Sequence, residues 1–366
     1  MPLELPATTK DITVEWLNVV LHENGFLVDT EIISLTHESM GEGFGAFSDM
    51  AKLSIHYSKN DLNLPNTMIA KLPPIGERRE TTLQLNMFEK EISFYQEIVP
   101  ISPIRTPNVY YSAIDTSAQK YILLMEDCSY CTSLDPNLRG FNQKEMYKLV
   151  LQLGDFHSRW WDDQRLSSFK WIPMPGAPED ALYSTIFRKI WEGCSLNDEF
   201  KSLLPYGAWE NGLRIYEKYD SLIQSLPISK VTIIHSDLRA ENFFFDWGDS
   251  DNPIVIYDWA LARIGRGPVD LAFPLGVYVD TELRRKIEKD ILVSYHKRLL
   301  EKGVSDYTFD ECWDDYRVGL LLRLLNTLNI FYKAAQEHER MKRFAQLAIP
   351  RMFSTIVESD AVSLLV

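Results

Sequence analysis

The chain has few cysteines, a shortage of basic residues and no long apolar run, and each shortage excludes a class of protein. The four cysteines among 366 residues are too few for a disulfide framework. Lysine and arginine number 38 against 52 acidic residues, and the resulting net charge of −14 argues against a protein that binds nucleic acid or an anionic membrane surface. The most apolar late segment, 319–332, contains Arg323 and Asn326 and is shorter than the roughly 20 residues of a membrane span.

These shortages predict a reduced, cytoplasmic protein with neither a nucleic-acid nor a membrane partner. The first twelve residues, MPLELPATTKDI, agree with this prediction because no basic stretch leads into an apolar run. The pair Cys128 and Cys131 has the spacing of a zinc or redox motif, but no second Cys or His pair stands near it in the sequence. We therefore expect no metal or redox role for these thiols.

What the chain does contain is the composition of an ordinary globular protein, with 45% apolar, 25% charged and 12% aromatic residues. Single hydrophobic cores stop growing near about 250 to 300 residues, so two lobes are expected rather than one. The sequence pattern changes from mainly β-like to mainly helical near residue 127. We therefore predict an N-terminal lobe over 1–127 and a C-terminal lobe over 128–366.

The predicted N-terminal lobe is a β-rich layer with two helices, and the C-terminal lobe is mostly helical. A leading helix (12–24) precedes β-like runs, and one further helix (82–98) crosses the sheet. The β-like runs of this lobe are 31–36, 48–57, 66–72, 109–113 and 121–125. The C-terminal helices are 143–161, 180–193, 209–225, 281–302, 307–336 and 340–357, interrupted by short β-like runs at 231–234, 243–246 and 254–257. The predicted fold class is α+β.

The most informative segment lies between two apolar runs, Val231–Ile234 and Phe243–Phe245. It reads His-Ser-Asp-Leu-Arg-Ala-Glu-Asn, and its charged groups would cost several kcal/mol if they were buried without partners. A later apolar run delivers a further carboxylate at Asp258. Phosphoryl transfer needs an acceptor for the hydroxyl proton and oxygen ligands for magnesium, a set that Asp237, Asn242 and Asp258 supply.

The order His-x-Asp-x-x-x-x-Asn followed by a later Asp is that of kinases, in which the first Asp is the catalytic base and the Asn and later Asp bind magnesium. Here the chain resembles the kinase-like small-molecule phosphotransferases that include aminoglycoside phosphotransferases and choline kinases. The resemblance is nearest to the ecdysteroid-kinase-like branch. It is carried by segments spread over most of the chain: 41–43, 66–74, 88–95, 124–127, 154–158, 235–242 and 267–272.

The resemblance implies a protein-kinase-like bilobal fold, with ATP and Mg²⁺ in the cleft between the lobes. Lys71 would pair with the nucleotide phosphates, and Glu91 would hold Lys71 in place. Glu89 is the competing partner, but it lies about 200° away from Glu91 on a helix, so only one of the two can face the sheet. We expect Glu91.

The remaining nucleotide contacts implied by the resemblance come mainly from the backbone. Gly41, Gly43 and Gly45 would let the chain approach phosphate oxygens without a Cβ in the way. Adenine would be received by backbone groups of a hinge formed by Met125, Glu126 and Asp127. Arg239 follows the catalytic base by two residues, and we assign it to the γ-phosphate.

Departures from the protein kinases are also present. Ser236 replaces their Arg, and Asp258-Trp259-Ala260 replaces their Asp-Phe-Gly, so a protein kinase is not expected. Three further residues are interpreted structurally. His235 should fix the loop through hydrogen bonds, and Asp270 should brace the loop by accepting backbone hydrogen bonds. His157 should be a packed helix residue.

The expected activity is transfer of the γ-phosphate of ATP to a hydroxyl of a small-molecule acceptor, with Mg²⁺ as cofactor. One alternative is a choline- or ethanolamine-type kinase, for which tryptophans could form a box around a quaternary ammonium, although such residues more often lie in the core. The candidates for that box are Trp160, Trp161, Trp191, Trp209 and Trp313. The other alternative is a non-catalytic nucleotide-binding regulatory module of the same fold.

Overall fold

The computed structural model describes residues 4–40, 48–59, 64–76, 78–134, 139–334 and 339–365. The three glycines of the predicted phosphate loop, Gly41, Gly43 and Gly45, lie outside these residues. The chain divides into two compact units. The first unit comprises Met1–Ile101, Arg105–Cys131 and Val255–Leu261, and the second comprises Ser102–Ile104, Thr132–Ile254 and Ala262–Val366. Asp258, expected in the C-terminal lobe, therefore belongs to the first unit.

The first unit is built on an antiparallel sheet, as the alternating apolar runs predict. Five strands of the described residues form it in the order β1-β2-β3-β5-β4. They are β1 (Ile32–Met40), β2 (Asp49–Tyr57), β3 (Thr67–Leu72), β4 (Val109–Asp115) and β5 (Lys120–Glu126). Along β3, Met68, Ala70 and Leu72 enter the core that the sheet shares with helix α1 (Val14–Glu23). Because side chains alternate along a strand, Lys71 points to the opposite face.

The segment between β3 and β4 differs from the single helix predicted over 82–98. It forms α2 (Arg78–Gln84), α3 (Met87–Ser93), one π-helical turn at Phe94–Ile98 and a short 3-10 turn at Val99–Ile101. The break occurs at Asn86, whose φ of 50° is left-handed. Asn tolerates this conformation better than most residues, and its amide donates a 2.6 Å hydrogen bond to Glu89 at the start of α3.

The second unit is mostly helical, in agreement with the periodicity of its sequence. Its helices are α4 (Gln143–Arg159), α5 (Pro178–Ser195), α6 (Asp198–Leu203), α7 (Ala208–Gln224), α8 (Val269–Phe273), α9 (Thr281–Glu301), α10 (Phe309–Ala334) and α11 (Glu339–Glu358). The short helices α6 and α8 were not predicted. Among the described residues, no helix combines the length and the apolar character that crossing a membrane requires.

The strands that follow β5 are short, and most of them belong to the second unit. Those after β5 are β6 (Thr132–Ser133), β7 (Thr232–Ile234), β8 (Phe243–Phe245), β9 (Ile254–Ile256) and β10 (Arg263–Gly265). Strand β7 pairs antiparallel with β10, and β6 pairs antiparallel with β8. The backbone N–H of Asp246 donates to Pro253 at 2.8 Å and closes the connection that leads from β8 towards β9. The octet His235–Asn242 therefore lies between two anchored strands, β7 and β8.

Helix α10 packs closely against α8, and this contact positions elements around the octet. A Cβ added at Gly319 would lie 2.8 Å from the Cα of Val269, a separation that real Cβ atoms essentially never show. Only glycine at this position lets the two helices approach so closely. The contact fixes α10 beside the helix that carries Asp270.

Candidate active site

In the first unit, a buried lysine is held by two carboxylates from distant parts of the sequence. Lys71 lies on β3, opposite Met50 of β2 and Leu123 of β5, and is only 4% exposed. Its Nζ lies 2.7 Å from Oε1 of Glu91 on α3 and 2.8 Å from Oδ1 of Asp258. The structure thus forms the predicted Lys71–Glu91 pair and excludes Glu89 from it.

The two carboxylates of this triad stabilise the charge of Lys71. Burial by itself disfavours the Lys71 ammonium, but Asp258 and Glu91 outweigh that effect and raise the pKa of Lys71 well above its usual value. Burial raises the pKa of Glu91 to about 7, against the attraction of Lys71. Lys71 is therefore a cation at neutral pH in a site where an unpaired ammonium would be costly.

Asp258 lies in a backbone conformation that is rare for a residue with a side chain. Its φ is 64°, and its side chain is 31% exposed, in contrast to that of Glu91, which is 2% exposed. The next residue, Trp259, stacks on Phe94 at 3.9 Å between ring centroids and donates from Nε1 to the carbonyl of Ile256 at 3.2 Å. These contacts hold Asp258 at the end of β9, with its carboxylate partly accessible.

The predicted hinge residues follow one another at the end of β5. Met125 is buried, and the carboxylates of the next two residues bond to the protein. Glu126 accepts from the hydroxyl of Tyr130 at 2.7 Å, and Asp127 lies 2.8 Å from Nζ of Lys52. Burial alone would raise the pKa of Asp127, but the hydrogen bonds from Lys52, Ser129 and Thr67 together outweigh it and lower the pKa. That adenine would meet backbone groups of this segment stays a prediction.

In the second unit, the start of the octet is fastened to a carboxylate from α8. The backbone N–H groups of His235 and Ser236 donate to Oδ2 and Oδ1 of Asp270 at 2.7 and 2.9 Å. This confirms the expectation that Asp270 braces the loop. Burial alone would raise the pKa of Asp270, but His157 and His235 more than compensate and lower it.

The two histidines at this position are structural, as predicted. His235 is fully buried, and its Nδ1 accepts the backbone N–H of Asp237 at 3.2 Å. His157 is also fully buried on α4; its Nδ1 lies 2.7 Å from the hydroxyl of Tyr295, and its Nε2 lies 3.5 Å from Asp270. The His235 ring therefore fixes the backbone N–H of Asp237, and the His157 ring packs between Tyr295 and Asp270.

Asp237, the predicted base, is held on both sides of its carboxylate. Its side chain is 12% exposed. Nδ2 of Asn326 on α10 donates to Oδ1 at 3.0 Å, and Nε of Arg239 lies 3.1 Å from Oδ2. Asn326 was not among the predicted site residues, although its amide side chain inside a largely apolar part of α10 was a signal. The structure thus brings together Asp237 and Arg239, two of the predicted site residues.

The predicted magnesium ligands have suitable donor atoms. Nδ2 of Asn242 donates a hydrogen bond to the backbone carbonyl of Asp237 at 2.9 Å, and this bond orients the amide. The amide oxygen, Oδ1, is the atom that could bind a metal ion. Asp258 offers a partly exposed carboxylate. Mg²⁺ prefers oxygen ligands and typically takes one or two carboxylates, with water and substrate phosphates completing its shell. No cluster of three His, Cys, Asp or Glu residues occurs in the described part of the chain, and such a site does not require one.

Two of the five tryptophans considered for a cation-binding box lie in the protein interior. Trp160 and Trp191 are buried. Trp160 donates from Nε1 to Ser102 at 2.8 Å, and Trp191 stacks on Trp209 with 6.0 Å between ring centroids. These contacts favour the core interpretation.

Comparison with known proteins agrees with this geometry. The model of the ecdysteroid kinase-like family matches residues 41–161 and 178–304. No curated protein matches the sequence at a significant level.

Solved structures with a similar fold include phosphotransferases and an ethanolamine kinase. A putative aminoglycoside phosphotransferase from Ralstonia eutropha JMP134 superposes with a TM-score of 0.57 and 14% identity, over 95% of this chain and 98% of that one. The GDP complex of wild-type aminoglycoside 2'-phosphotransferase-IIIa superposes with a TM-score of 0.53 and 14% identity, over 94% of this chain and 99% of that one. An ethanolamine kinase from Plasmodium vivax superposes with a TM-score of 0.53 and 13% identity, over 93% of this chain and 86% of that one. These likenesses confirm the predicted kinase-like α+β fold.

Proposed function

The chain belongs to the ecdysteroid kinase-like family, and on that premise we propose that it is an ATP- and Mg²⁺-dependent small-molecule kinase. The γ-phosphate would be transferred to a hydroxyl group of a small molecule. The observation that carries the proposal is the triad of Lys71, Glu91 and Asp258, in which one buried ammonium lies within 2.8 Å of two carboxylates. A buried cation beside a partly exposed carboxylate is suited to binding a phosphate together with its metal ion. A buried ion pair adds little to the stability of a core, so a purely structural role explains it less well.

Within this proposal, the first unit binds the nucleotide. Lys71 pairs with phosphate oxygens, and Glu91 keeps the ammonium in place when they bind. The backbone of the segment with Gly41, Gly43 and Gly45 approaches the phosphates. Backbone groups of Met125, Glu126 and Asp127 receive the adenine.

In the second unit, the octet carries out the transfer. Asp237 accepts the proton of the acceptor hydroxyl or orients that hydroxyl, and Arg239 contacts the γ-phosphate. Oxygens of Asn242 and Asp258 would hold Mg²⁺, which when bound neutralises charge on the nucleotide phosphates. Catalysis is then mainly positioning together with electrostatic stabilisation.

The proposal is tested by incubating the protein with a metabolite extract and labelled ATP, followed by mass identification of any phosphorylated product. Asp237→Ala should lower turnover by about 10²- to 10⁴-fold, the usual contribution of a positioned general base, and should leave nucleotide binding intact. Wild-type turnover in this variant would remove Asp237 from the mechanism.

A second variant tests the metal ligand separately. Asp258→Ala should abolish the magnesium-dependent part of nucleotide affinity in a titration with MgATP. Asp251→Ala is the matched control, because it removes an exposed carboxylate from the loop before β9. An unchanged MgATP titration in Asp258→Ala would contradict the metal role.

The same screen separates the alternatives. ATP consumption stimulated by choline or ethanolamine would identify a kinase of that type, whereas a nucleotide-dependent thermal shift without phosphorylation of any acceptor would indicate a regulatory module. The proposed location is cytoplasmic. In support, none of the four cysteines, all of which lie in the described residues, forms a disulfide.

A further inference from the structure

Helix α10 presents two polar side chains, Arg323 and Asn326, to the octet. Arg323 and Asn326 are three residues apart, a spacing that places them on one face of a helix. Nη1 of Arg323 donates to the backbone carbonyl of Ser236. Nδ2 of Asn326 donates to Oδ1 of Asp237 at 3.0 Å, across 89 positions of sequence. Both contacts lie within the second unit.

These contacts act on different parts of the octet. The backbone around Asp237 is already fixed by the hydrogen bonds to His235 and from Asn242. Those bonds leave the torsion angles of the Asp237 side chain undetermined. The direction of the carboxylate is determined by partners of its two oxygens, which are Asn326 at Oδ1 and Arg239 at Oδ2.

Of the two partners of the Asp237 carboxylate, only Arg239 has a second task in the proposed reaction. Arg239 belongs to the octet itself and is assigned to the γ-phosphate, so its contact with Asp237 competes with that task. Asn326 lies on the long helix α10 and can retain its hydrogen bond throughout the reaction. Its amide is also neutral, so it orients the carboxylate without adding a charge beside the phosphates.

We infer that Asn326 is a positioning residue for the proposed transfer. Its amide holds Oδ1 of Asp237 and leaves Oδ2 to accept the proton of the acceptor hydroxyl. The inference rests on the proposed function and assigns to α10 a part in catalysis that the octet motif does not contain. Misplacement of a reacting group by about 1 Å can cost up to about 10²-fold in rate, so this one hydrogen bond has a measurable effect.

The test compares three variants on α10. Asn326→Leu removes the amide at nearly constant volume, and Asn326→Asp keeps the shape but replaces the donor with a carboxylate. Asn329→Leu is the matched control, since it makes the same chemical change one helical turn further along. Initial rates of ATP-dependent phosphorylation are measured at varied ATP, together with the melting temperature of each protein.

Asn326→Leu should lower kcat by roughly 10- to 100-fold, with the KM for ATP changed less than about twofold. Asn326→Asp should lower kcat at least as much, because a second carboxylate would face Asp237. Asn329→Leu should retain the wild-type rate. A purely structural role would instead lower the melting temperature and leave kcat of the folded protein unchanged.

A double variant makes the inference specific to Asp237. If Asn326 acts through that carboxylate, Asn326→Leu should cause no further loss of the residual rate in the Asp237→Ala background. Wild-type kcat in both Asn326 variants, or an undiminished loss in the Asp237→Ala background, would overturn the inference and leave the proposed kinase activity standing. Absence of phosphorylation by the wild-type protein would overturn both.

Discussion

The buried carboxylate of Glu91 makes a definite prediction about how stability depends on pH. A glutamate in an unfolded chain has a pKa near 4.5, and in the folded protein burial raises the pKa of Glu91 to about 7. Between these two values the folded state binds more protons than the unfolded state. The stabilisation that Glu91 contributes is therefore complete below about pH 4.5 and is lost as the pH rises through about 7.

The size of this effect follows from the two pKa values. Integrating the difference in proton binding from pH 5.5 to pH 8 gives about 2 kcal/mol of stability that the wild-type protein loses through this one group. Glu91→Gln removes the titration and leaves Lys71 paired with Asp258. The raised pKa of Lys71 has no effect in this range because both its folded and unfolded values lie above it. The free-energy difference between wild type and variant should therefore change by about 2 kcal/mol across the range.

Urea unfolding at several pH values between 5.5 and 8 measures this difference. Glu89→Gln is the matched control, since it neutralises a carboxylate two residues away on α3 that bonds to Asn86 and not to Lys71. The control should follow the pH dependence of the wild type. If Glu91→Gln also runs parallel to the wild type, the carboxylate of Glu91 is not held as the structure has it, and the reasoning fails.

Substitutions at three further positions test the packing of the second unit by urea unfolding. Asp270→Ala should cost about 2 to 6 kcal/mol, since it leaves two buried N–H groups of the octet unsatisfied; a cost below about 1 kcal/mol would contradict the brace. Gly212→Ala should cost about 1 to 3 kcal/mol because the added Cβ would lie 2.2 Å from the ring of Trp191, and a neutral result would mean that this ring moves freely. Asp180→Ala should cost about 3 to 5 kcal/mol by leaving buried Arg263 without the carboxylate 2.7 Å away; Asp180→Asn retains an acceptor oxygen but also removes the charge, so it should cost nearly as much, and a nearly neutral Asp180→Asn would refute an electrostatic cause.

The sequence alone identified most of the regular structure, for a physical reason. Long amphipathic helices such as α7 and strands such as β2 bury one face, and their apolar residues therefore recur at a regular spacing in the sequence. The break between α2 and α3 leaves no such period, because it depends on the left-handed backbone of Asn86 inside an otherwise continuous helical pattern. The short helices α6 and α8 were missed because six and five residues are too few to establish a periodicity.

The candidate site also contains some residues that could be predicted from the sequence and one that could not. The pair of Lys71 and Glu91 could be predicted because both residues occupy positions of kinase-like motifs, and because helical geometry allows only one of Glu89 and Glu91 to face the sheet. Asn326 could not be assigned, although its polarity within α10 is visible in the sequence. A polar residue in an apolar helix predicts that some partner exists, but not that the partner is Asp237, 89 positions earlier.

Ser236 shows why the residues of a motif do not determine its geometry. Its φ of 70° places a residue with a Cβ in the left-handed region, at a cost of about 1 to 2 kcal/mol. Hydrogen bonds within the octet fix the backbone on the far side, at Asp237. Ser236 itself is held from outside, by Asp270 of α8, which accepts the N–H of Ser236, and by Arg323 of α10, which donates to its carbonyl. The placement of the next residue, Asp237, thus depends in part on the packing of two helices later in the chain, which the octet sequence does not encode.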